Sequence, residues 1–284
     1  MESPSEFTLV KRGRMDKTQV RGRMLQVATS EIERSGLTVS LDHISFEAVI
    51  HAADVPRSAA YRVWPTKEEF FDDLLRHLAS ERWPGTSALS EEYFDEALRT
   101  ALEHEDEFVT AEGRRRALHA AARVGIQRDA EHLATTSAWR NYVAITATVM
   151  SLPSSDDLRK ELEYELHESE DQIVSRFADH YRHLSRLVGF RLRPEFHNDY
   201  SIMATLGAAI VEGITLRQFV SPAISNRQYV LDAFETGVKE AWSLAAFACT
   251  AVFDQMFEED PDYDESQAKQ LSDLARKFLA SKEH

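Results

Sequence analysis

The chain has 284 residues, of which 43% are hydrophobic and 29% charged, and its formal net charge is -15. These proportions are ordinary for a soluble globular protein, and the length favours a small domain joined to a larger one. The single cysteine, Cys249, excludes an internal disulfide framework and is typical of a reducing cytoplasm, where we expect the protein to reside.

The sequence predicts an all-α fold. It contains only ten glycines and eight prolines, and no stretch sustains the alternation typical of β-strands. No apolar run approaches the roughly 20 residues needed to span a bilayer, and the N-terminus lacks the apolar core of a secretory signal. We therefore expect no association with a membrane.

Charge is distributed unevenly along the chain. Residues 11–67 carry ten Lys or Arg against six Asp or Glu, whereas residues 81–284 carry 22 basic against 36 acidic residues. Such asymmetry is typical of a DNA-binding head on an acidic body. The stretch 11–23 is strongly basic, and we expect residues 1–17 to form a flexible arm that follows phosphates or enters a minor groove. A solubilising tail is the alternative.

Residues 38–71 predict three short helices separated by tight turns. Ser45 can cap the first of them, FEAVIHAA, whose apolar residues recur at helical spacing. The segment 54–56, Asp-Val-Pro, interrupts the helix, because Asp tolerates turn geometry and Pro suits the first turn of a new helix. Pro65 ends the second helix, and Thr66-x-x-Glu69 forms a capping box that opens the third.

The second helix, RSAAYRVW, is expected to present small polar and basic groups to solvent. Ala60 and Trp64 are expected to face inward. The residues expected to face outward are Arg57, Ser58, Ala59 and Arg62. Two short helices joined by a tight turn, with such groups on the second, have the shape that a DNA major groove accepts. The sequence therefore predicts a DNA-binding head at residues 18–83.

The run Tyr61-Arg62-x-Trp64-Pro65-Thr66-Lys67-Glu68 resembles the helix-turn-helix signature of TetR-family repressors. An amphipathic helix from Met24 to Gly36 is similar to the first helix of that family, so the resemblance covers roughly residues 18–80. Two positions differ from the family pattern. Its turn usually holds glycine where this chain has Asp54, and Ser or Thr where it has Pro56.

The position of each residue and the resemblance together predict a set of DNA contacts. Arg57 and Ser58 open the second helix and are expected to read base edges. The resemblance implies that the Tyr61 hydroxyl meets a phosphate. Lys67 would join the amide groups of its helix at another phosphate, which would explain a cation placed against the helix dipole. The complete predicted set is Ser45, Arg57, Ser58, Ala59, Tyr61, Arg62, Thr66 and Lys67.

Residues 84–284 predict a helical-bundle body, and the break at Pro84-Gly85 marks its start. The resemblance implies that this body binds an effector and dimerises. Proline residues fall between the predicted segments, as helix breakers should. The helices are expected near 90–108, 114–129, 136–151, 155–188, 198–220, 226–258 and 264–282.

The segments 203–222 and 226–242 resemble the last two body helices of TetR-family regulators, which form a four-helix dimer interface in that family. Small residues recur in the first segment at a spacing that allows close helix packing. They are Ala204, Gly207, Ala208 and Val211. The resemblance implies that this stripe lies in a homodimer interface, although the core of a single chain would satisfy the stripe equally well.

The resemblance also implies a small-molecule effector within the body. Trp139, Tyr142 and Phe177 are candidate lining residues, although such aromatic residues also form plain cores. We expect no metal and no cofactor. His180-x-x-His183 is the only histidine pair at ligand spacing, and the chain has no Glu-x-x-His, HExxH, phosphate loop or GxSxG pattern that would indicate an enzyme.

These features predict a ligand-responsive transcriptional regulator of the TetR type. We expect a homodimer that represses by binding a pseudo-palindromic operator and that a small-molecule effector releases. One alternative is a helical-bundle enzyme or effector-binding protein whose head has lost DNA affinity. Another is an architectural DNA-binding protein without an effector.

Overall fold

The computed structural model describes residues 15–35, 44–80, 84–153 and 156–282. The described chain is mostly helical, as predicted. It divides into two compact units, which we call unit 1 (Met1–Glu81 and Arg140–Glu165) and unit 2 (Arg82–Trp139 and Leu166–His284). The first division lies close to the predicted boundary after residue 83, whereas the membership of residues 140–165 in unit 1 was not predicted.

Unit 1 is organised around its first helix. Its helices are α1 (Lys17–Ser35), α2 (Phe46–Ala52), α3 (Arg57–Val63), α4 (Lys67–Ser80), the end of α7 (Ser137–Ser151) and the start of α8 (Asp157–Leu187). Apolar residues recur along α1 every three or four positions, so Val20, Met24 and Ile32 are all buried on one side. This side of α1 packs on α2, α3 and α4.

Unit 2 is organised around α6 (Ala111–Thr135). This helix packs on α5 (Pro84–Glu103), α9 (Ser201–Val220) and α11 (Leu244–Met256), and α9 also packs on α11. The remaining helices of the unit are the greater part of α8, the short α10 (Pro222–Ser225) and α12 (Glu265–Ser281).

Four three-residue strands form two antiparallel pairs in unit 2. β1 (Phe190–Leu192) pairs with β4 (Phe257–Glu259), and β2 (Tyr229–Leu231) pairs with β3 (Glu240–Trp242). The single helix predicted over 226–258 is therefore wrong. The Asp232 carboxylate accepts a hydrogen bond of 3.1 Å from the N–H of Gly237, where φ is +80°, and this turn allows β2 and β3 to pair. The other predicted body helices are present with shifted ends.

Among the described residues, α9 alone is long and apolar enough to cross a membrane by length and composition. Its mean hydropathy over the most apolar window is 1.2, and 28% of that window is buried. The expectation that no apolar segment reaches that length is therefore wrong. Since core helices of soluble proteins meet the same criterion, length and composition are weak support for a membrane span.

Candidate functional site

The connection between α2 and α3 determines where α3 begins. Ser45 Oγ accepts a hydrogen bond of 3.3 Å from the Ala48 N–H and caps α2, as predicted. Asp54 adopts a φ of +49°, in the left-handed region that favours glycine but that Asp tolerates. Pro56 is extended, with φ -58° and ψ 129°, so Arg57 is the first helical residue of α3.

An aromatic cluster holds the buried side of this segment. The ring centroid of Trp64 lies 6.3 Å from that of Phe46 and 5.1 Å from that of Phe70, and both pairs have edge-to-face geometry. The Tyr61 ring also meets Phe46 edge-on, at 5.4 Å. Trp64 is 3% exposed, which confirms that it faces inward. Because the rings fix this side, the opposite side of α3 is held toward solvent.

Asp73 in α4 connects this cluster to α1. Its carboxylate accepts a hydrogen bond of 3.0 Å from Trp64 Nε1 and two from the Arg21 guanidinium, of 2.7 and 2.6 Å. Burial alone would raise the pKa of Asp73, but the hydrogen bonds from Arg21 and Trp64 outweigh it and hold this pKa below its ordinary value. Arg21 is therefore committed to the internal structure of unit 1.

The solvent side of α3 and the start of α4 carry basic and hydroxyl groups. The exposed members of the predicted DNA-contact set are Ser45, Arg57, Ser58, Arg62, Thr66 and Lys67, and Tyr61 is half-buried. Ala59 is only 5% exposed, because α3 packs on α1, so the prediction that it points outward is wrong. Thr66 Oγ1 accepts a hydrogen bond of 3.2 Å from the Glu69 N–H and caps α4 as predicted.

Glu47 of α2 engages two of these groups at once. Its Oε1 lies 2.8 Å from Arg57 Nη2 and accepts a hydrogen bond of 2.8 Å from the Tyr61 hydroxyl. Contacts with Tyr61 and with Glu47 raise the pKa of Arg57. The Arg57 and Glu47 side chains are 70% and 50% exposed, so the ion pair is weak and another anion can replace Glu47.

The basic segment before α1 is only partly described. Residues 1–14 lie outside the described residues. α1 begins at Lys17, so Lys17, Arg21 and Arg23 belong to a helix, and the prediction of a flexible arm is wrong at Lys17.

The small-residue stripe of α9 faces the interior of unit 2. Ala204 and Val211 are each 3% exposed, and Gly207 is also buried. A Cβ on Gly207 would lie 3.1 Å from the Phe253 ring of α11, and the Gly207 carbonyl accepts a hydrogen bond of 3.9 Å from Cys249 Sγ. The stripe is thus part of the core of one chain, and its assignment to a dimer interface is wrong for these three residues. Ala208 is half-buried.

Unit 2 encloses a cavity of about 60 Å³ between α5, α6, α8, α9, α11 and β4. The lining is predominantly apolar, with aromatic rings from several elements. Its residues are Tyr93, Phe94, Ala97, Leu118, His119, Ala121, Ala122, Gly125, Ile126, Asp129, Phe177, Tyr181, Leu184, Met203, Thr250, Phe253, Asp254 and Phe257. An apolar cavity with a few convergent polar groups is typical of a small-molecule site.

Three polar atoms of this lining are buried without a hydrogen-bond partner: Asp129 Oδ1, His119 Nδ1 and Thr250 Oγ1. The other ring nitrogen of His119, Nε2, lies 2.8 Å from Asp254 Oδ1, which also accepts a hydrogen bond of 2.6 Å from Arg115. Each buried polar atom without a partner costs about 1–3 kcal/mol of stability. A ligand that supplied the missing hydrogen bonds would recover part of this cost.

Burial also shifts the pKa values of the lining residues Asp129 and His119 and of Glu212, which does not line the cavity. The pKa of Asp129 is raised to about 7 by burial, with a contribution from Glu212. The pKa of Glu212, in α9, is likewise raised to about 7 by burial and by Glu170. Burial lowers the pKa of His119 although Asp254 opposes the shift. Buried groups with strongly shifted pKa values in a cavity indicate a candidate functional site.

The sequence identified the cavity only in part. Of the predicted lining residues, Phe177 lines it, Trp139 is buried elsewhere in unit 2, and Tyr142 belongs to unit 1. Asp129 was missed, although an acidic residue among the apolar positions of α6 is a signal that could have been noticed.

His180, the first residue of the pair His180-x-x-His183, stacks on Phe94 with ring centroids 3.8 Å apart. Burial lowers the pKa of His180 to about 4, and His183 contributes to the shift. His180 therefore holds an aromatic contact as a neutral ring. Within the described ranges, no three His, Cys, Asp or Glu side chains are grouped so that they could hold a metal ion.

Comparisons with protein-family models, with curated proteins and with solved structures found no match to this chain. Function is therefore inferred from the chemistry of the exposed side of α3 and of the cavity in unit 2.

Proposed function

We propose that the protein is a ligand-responsive, TetR-type transcriptional regulator. It binds a pseudo-palindromic DNA operator as a homodimer, acts as a repressor and is released by a small-molecule effector. The observation that carries the proposal is the exposed side of α3, which begins with Arg57 and Ser58 and is followed by Arg62 and Lys67. We infer that α2 and α3 form a helix-turn-helix and that α3 enters the major groove.

Position on α3 and α4 gives each group a role. Arg57 and Ser58, at the N-terminal end of α3, read base edges, since this end of a recognition helix approaches the bases. Tyr61, Arg62 and Lys67 contact phosphates, which hold the protein in register on the duplex. Ser45 and Thr66 cap helices, and we assign them a positioning role. The buried Ala59 is left out of the contact set.

The experiment that tests the proposal is selection of bound fragments from genomic DNA by the purified full-length protein at physiological salt. We expect enrichment of a short inverted repeat. The Arg57→Ala variant should lose about 1–3 kcal/mol of operator affinity and relax the preference at one base position of each half-site.

Arg34→Ala is the matched control, because Arg34 is an equally exposed arginine of unit 1 that pairs with Glu31 in its own helix. It should select the same motif as the natural protein. No enriched motif with the natural protein, or equal weakening of every sequence by Arg57→Ala, would contradict the assignment of Arg57 to base reading.

Glu47 limits DNA affinity in this proposal. Glu47→Gln removes the negative charge that engages Arg57 and Tyr61 and that repels phosphate. We expect operator affinity to rise roughly threefold to tenfold, in keeping with the modest strength of exposed ion pairs. The salt dependence of log K should become steeper, because Arg57 then neutralises DNA charge without a competitor. Titration of a labelled operator at several salt concentrations measures both quantities.

Glu31→Gln is the control for the Glu47 experiment, since Glu31 is an exposed glutamate of α1 paired with Arg34. It should leave operator affinity unchanged. The Glu47 contacts also favour the second candidate function, an effector-binding protein whose head no longer binds DNA. If neither the natural protein nor Glu47→Gln binds any duplex, the result would contradict the regulator proposal and favour that second function.

Dimerisation is proposed to use the outer side of α9. Large apolar side chains are exposed there although the inner side is packed in the core. They are Ile202, Leu206, Leu216, Phe219 and Val220. Four of these residues, at positions 202, 206, 216 and 220, form a series with Ala209 and Gly213 in which spacings of four and three residues alternate. Such heptad-like spacing is typical of a helix that packs on a partner helix. A Cβ on Gly213 would meet nothing within 4 Å among the described residues, so a second helix can approach closely.

Leu216→Glu is expected to weaken dimerisation by roughly tenfold to a hundredfold, because it replaces an apolar contact by a charge in each chain. Operator affinity should fall with it, since both half-sites must be bound together. Sedimentation of the protein over a concentration series measures the dimer equilibrium. Leu271→Glu, at a comparably exposed leucine of α12, should leave it unchanged. Unaltered dimerisation of Leu216→Glu would place the interface elsewhere.

A further inference from the structure

The lining of the unit 2 cavity contains hydrogen-bond acceptors that have no partner. Asp254 only accepts hydrogen bonds, so the His119 Nε2 that faces it carries the ring proton. The unpartnered Nδ1 of the neutral ring is then a lone-pair acceptor, as is the unpartnered Oδ1 of Asp129 once that carboxyl group is ionised. Thr250 Oγ1 can donate or accept. These groups are complementary to a ligand that brings N–H donors.

The charge and the aromatic lining favour the same kind of ligand. No lysine or arginine is among the described lining residues, and the nearby Arg115 pairs with Asp254. The Asp129 carboxylate therefore has no cationic partner in the cavity. Six of the described lining residues are aromatic: Tyr93, Phe94, Phe177, Tyr181, Phe253 and Phe257. Aromatic faces attract organic cations, and they do so more strongly in a site from which water is excluded.

We propose that this cavity binds a small organic cation, a primary alkylammonium, which donates an N–H hydrogen bond to Asp129 Oδ1 and packs its apolar part among the aromatic rings. The cavity volume of about 60 Å³ restricts the buried part of the ligand to a compact group. This inference names the chemical class of the effector, and it rests on the proposed function only for the regulatory consequence of binding.

The probes for this proposal are ethylamine and ethanol, which share one ethyl group compact enough for the cavity and differ in the charged group. Calorimetric titration of the full-length protein without DNA is carried out near pH 8. Asp129 is then mainly ionised, since its pKa is about 7. The ammonium stays protonated, as a lysine side chain with a pKa of about 10.4 does. Ethylamine is expected to bind roughly tenfold to a hundredfold more tightly than ethanol, because a charge-assisted hydrogen bond is stronger than a neutral one.

Two variants locate the preference within the cavity. Asp129→Asn should bring the affinity for ethylamine down to that for ethanol. Glu212→Gln is the matched control, because it neutralises a second buried carboxyl group that does not line the cavity. It should keep most of the preference for the amine. Ala122→Leu, which fills the cavity from α6, should reduce the binding of both probes.

Several outcomes would overturn the proposal. They are equal affinity for the two probes, no binding of either, an undiminished preference for the amine in Asp129→Asn, and loss of the preference in Glu212→Gln to the same extent. Circular dichroism of each variant confirms that a lost preference does not reflect unfolding. DNA is absent from these titrations, so their result is independent of whether the protein binds an operator. An amine that binds through Asp129 without affecting DNA binding would leave the ligand class standing and contradict the regulatory role.

Discussion

Replacing Asp129 with asparagine is expected to stabilise the protein increasingly as the pH rises. Asp129 has a pKa of about 7 in the folded chain against 3.8 for the ordinary carboxyl group. Between these values the folded state holds a proton that the unfolded state has released, so stability falls as pH rises toward about 7. The amide of the variant cannot ionise and avoids this loss. The stabilisation should grow by about 1–3 kcal/mol between about pH 5 and about pH 8.

Thermal unfolding of both proteins across this pH range measures the difference, in which the titration of all other groups largely cancels. Asp254→Asn is the control of opposite sign. Burial would raise the pKa of Asp254, but its partners His119 and Arg115 hold it below the ordinary value. Asp254→Asn should therefore destabilise the protein at neutral pH, and the effect should shrink in acid. A pH-independent effect of Asp129→Asn would show that Asp129 is not held in a buried environment.

The second large effect is expected from Trp64→Ala in unit 1. The side chain is 3% exposed, meets Phe46 and Phe70 edge-on and donates a hydrogen bond to Asp73. Truncation of a buried Trp to Ala costs about 3–5 kcal/mol, and the Asp73 carboxylate additionally loses a donor. Because α2, α3 and α4 meet at this cluster, we expect unit 1 to unfold at a lower temperature and the proposed specific DNA binding to disappear.

Scanning calorimetry with the operator-binding titration tests this expectation. Trp64→Phe is the informative control, since it keeps a ring in the cluster and removes the hydrogen bond to Asp73. It should lose about 1–3 kcal/mol and retain DNA binding. A Trp64→Ala protein with an unchanged unfolding profile would contradict the proposed core of unit 1.

Local signals were sufficient to predict the segment from α2 to α4. The caps at Ser45 and Thr66 depend on the next few residues, and the left-handed conformation of Asp54 is one that few residue types besides glycine tolerate. Each can therefore be read from a short stretch of sequence. Ala59 was misplaced because a helix as short as α3 buries residues on more than one side when a second helix packs against it.

Longer-range features were not predictable in the same way. The pairing of β2 with β3 depends on the turn at Asp232 and Gly237, and this segment also satisfies a helical pattern. The small-residue stripe of α9 correctly indicated a close helix contact but not its partner, which is α11 of the same chain. Likewise, the sequence could not show that Asp129 lies in a cavity, because the surrounding rings come from α5, α8, α11 and β4.

The division into two units has a consequence for attempts to exchange parts of this protein. The chain passes from one unit to the other after residues 81, 139 and 165. A fragment that ends near residue 83 would therefore lack part of unit 1, and the remaining fragment would carry that part without its partners. A fusion that joins residues 1–83 to a different effector domain is thus expected to fold poorly unless residues 140–165 are transplanted as well. The proposed DNA-binding surface of this protein is not a detachable module.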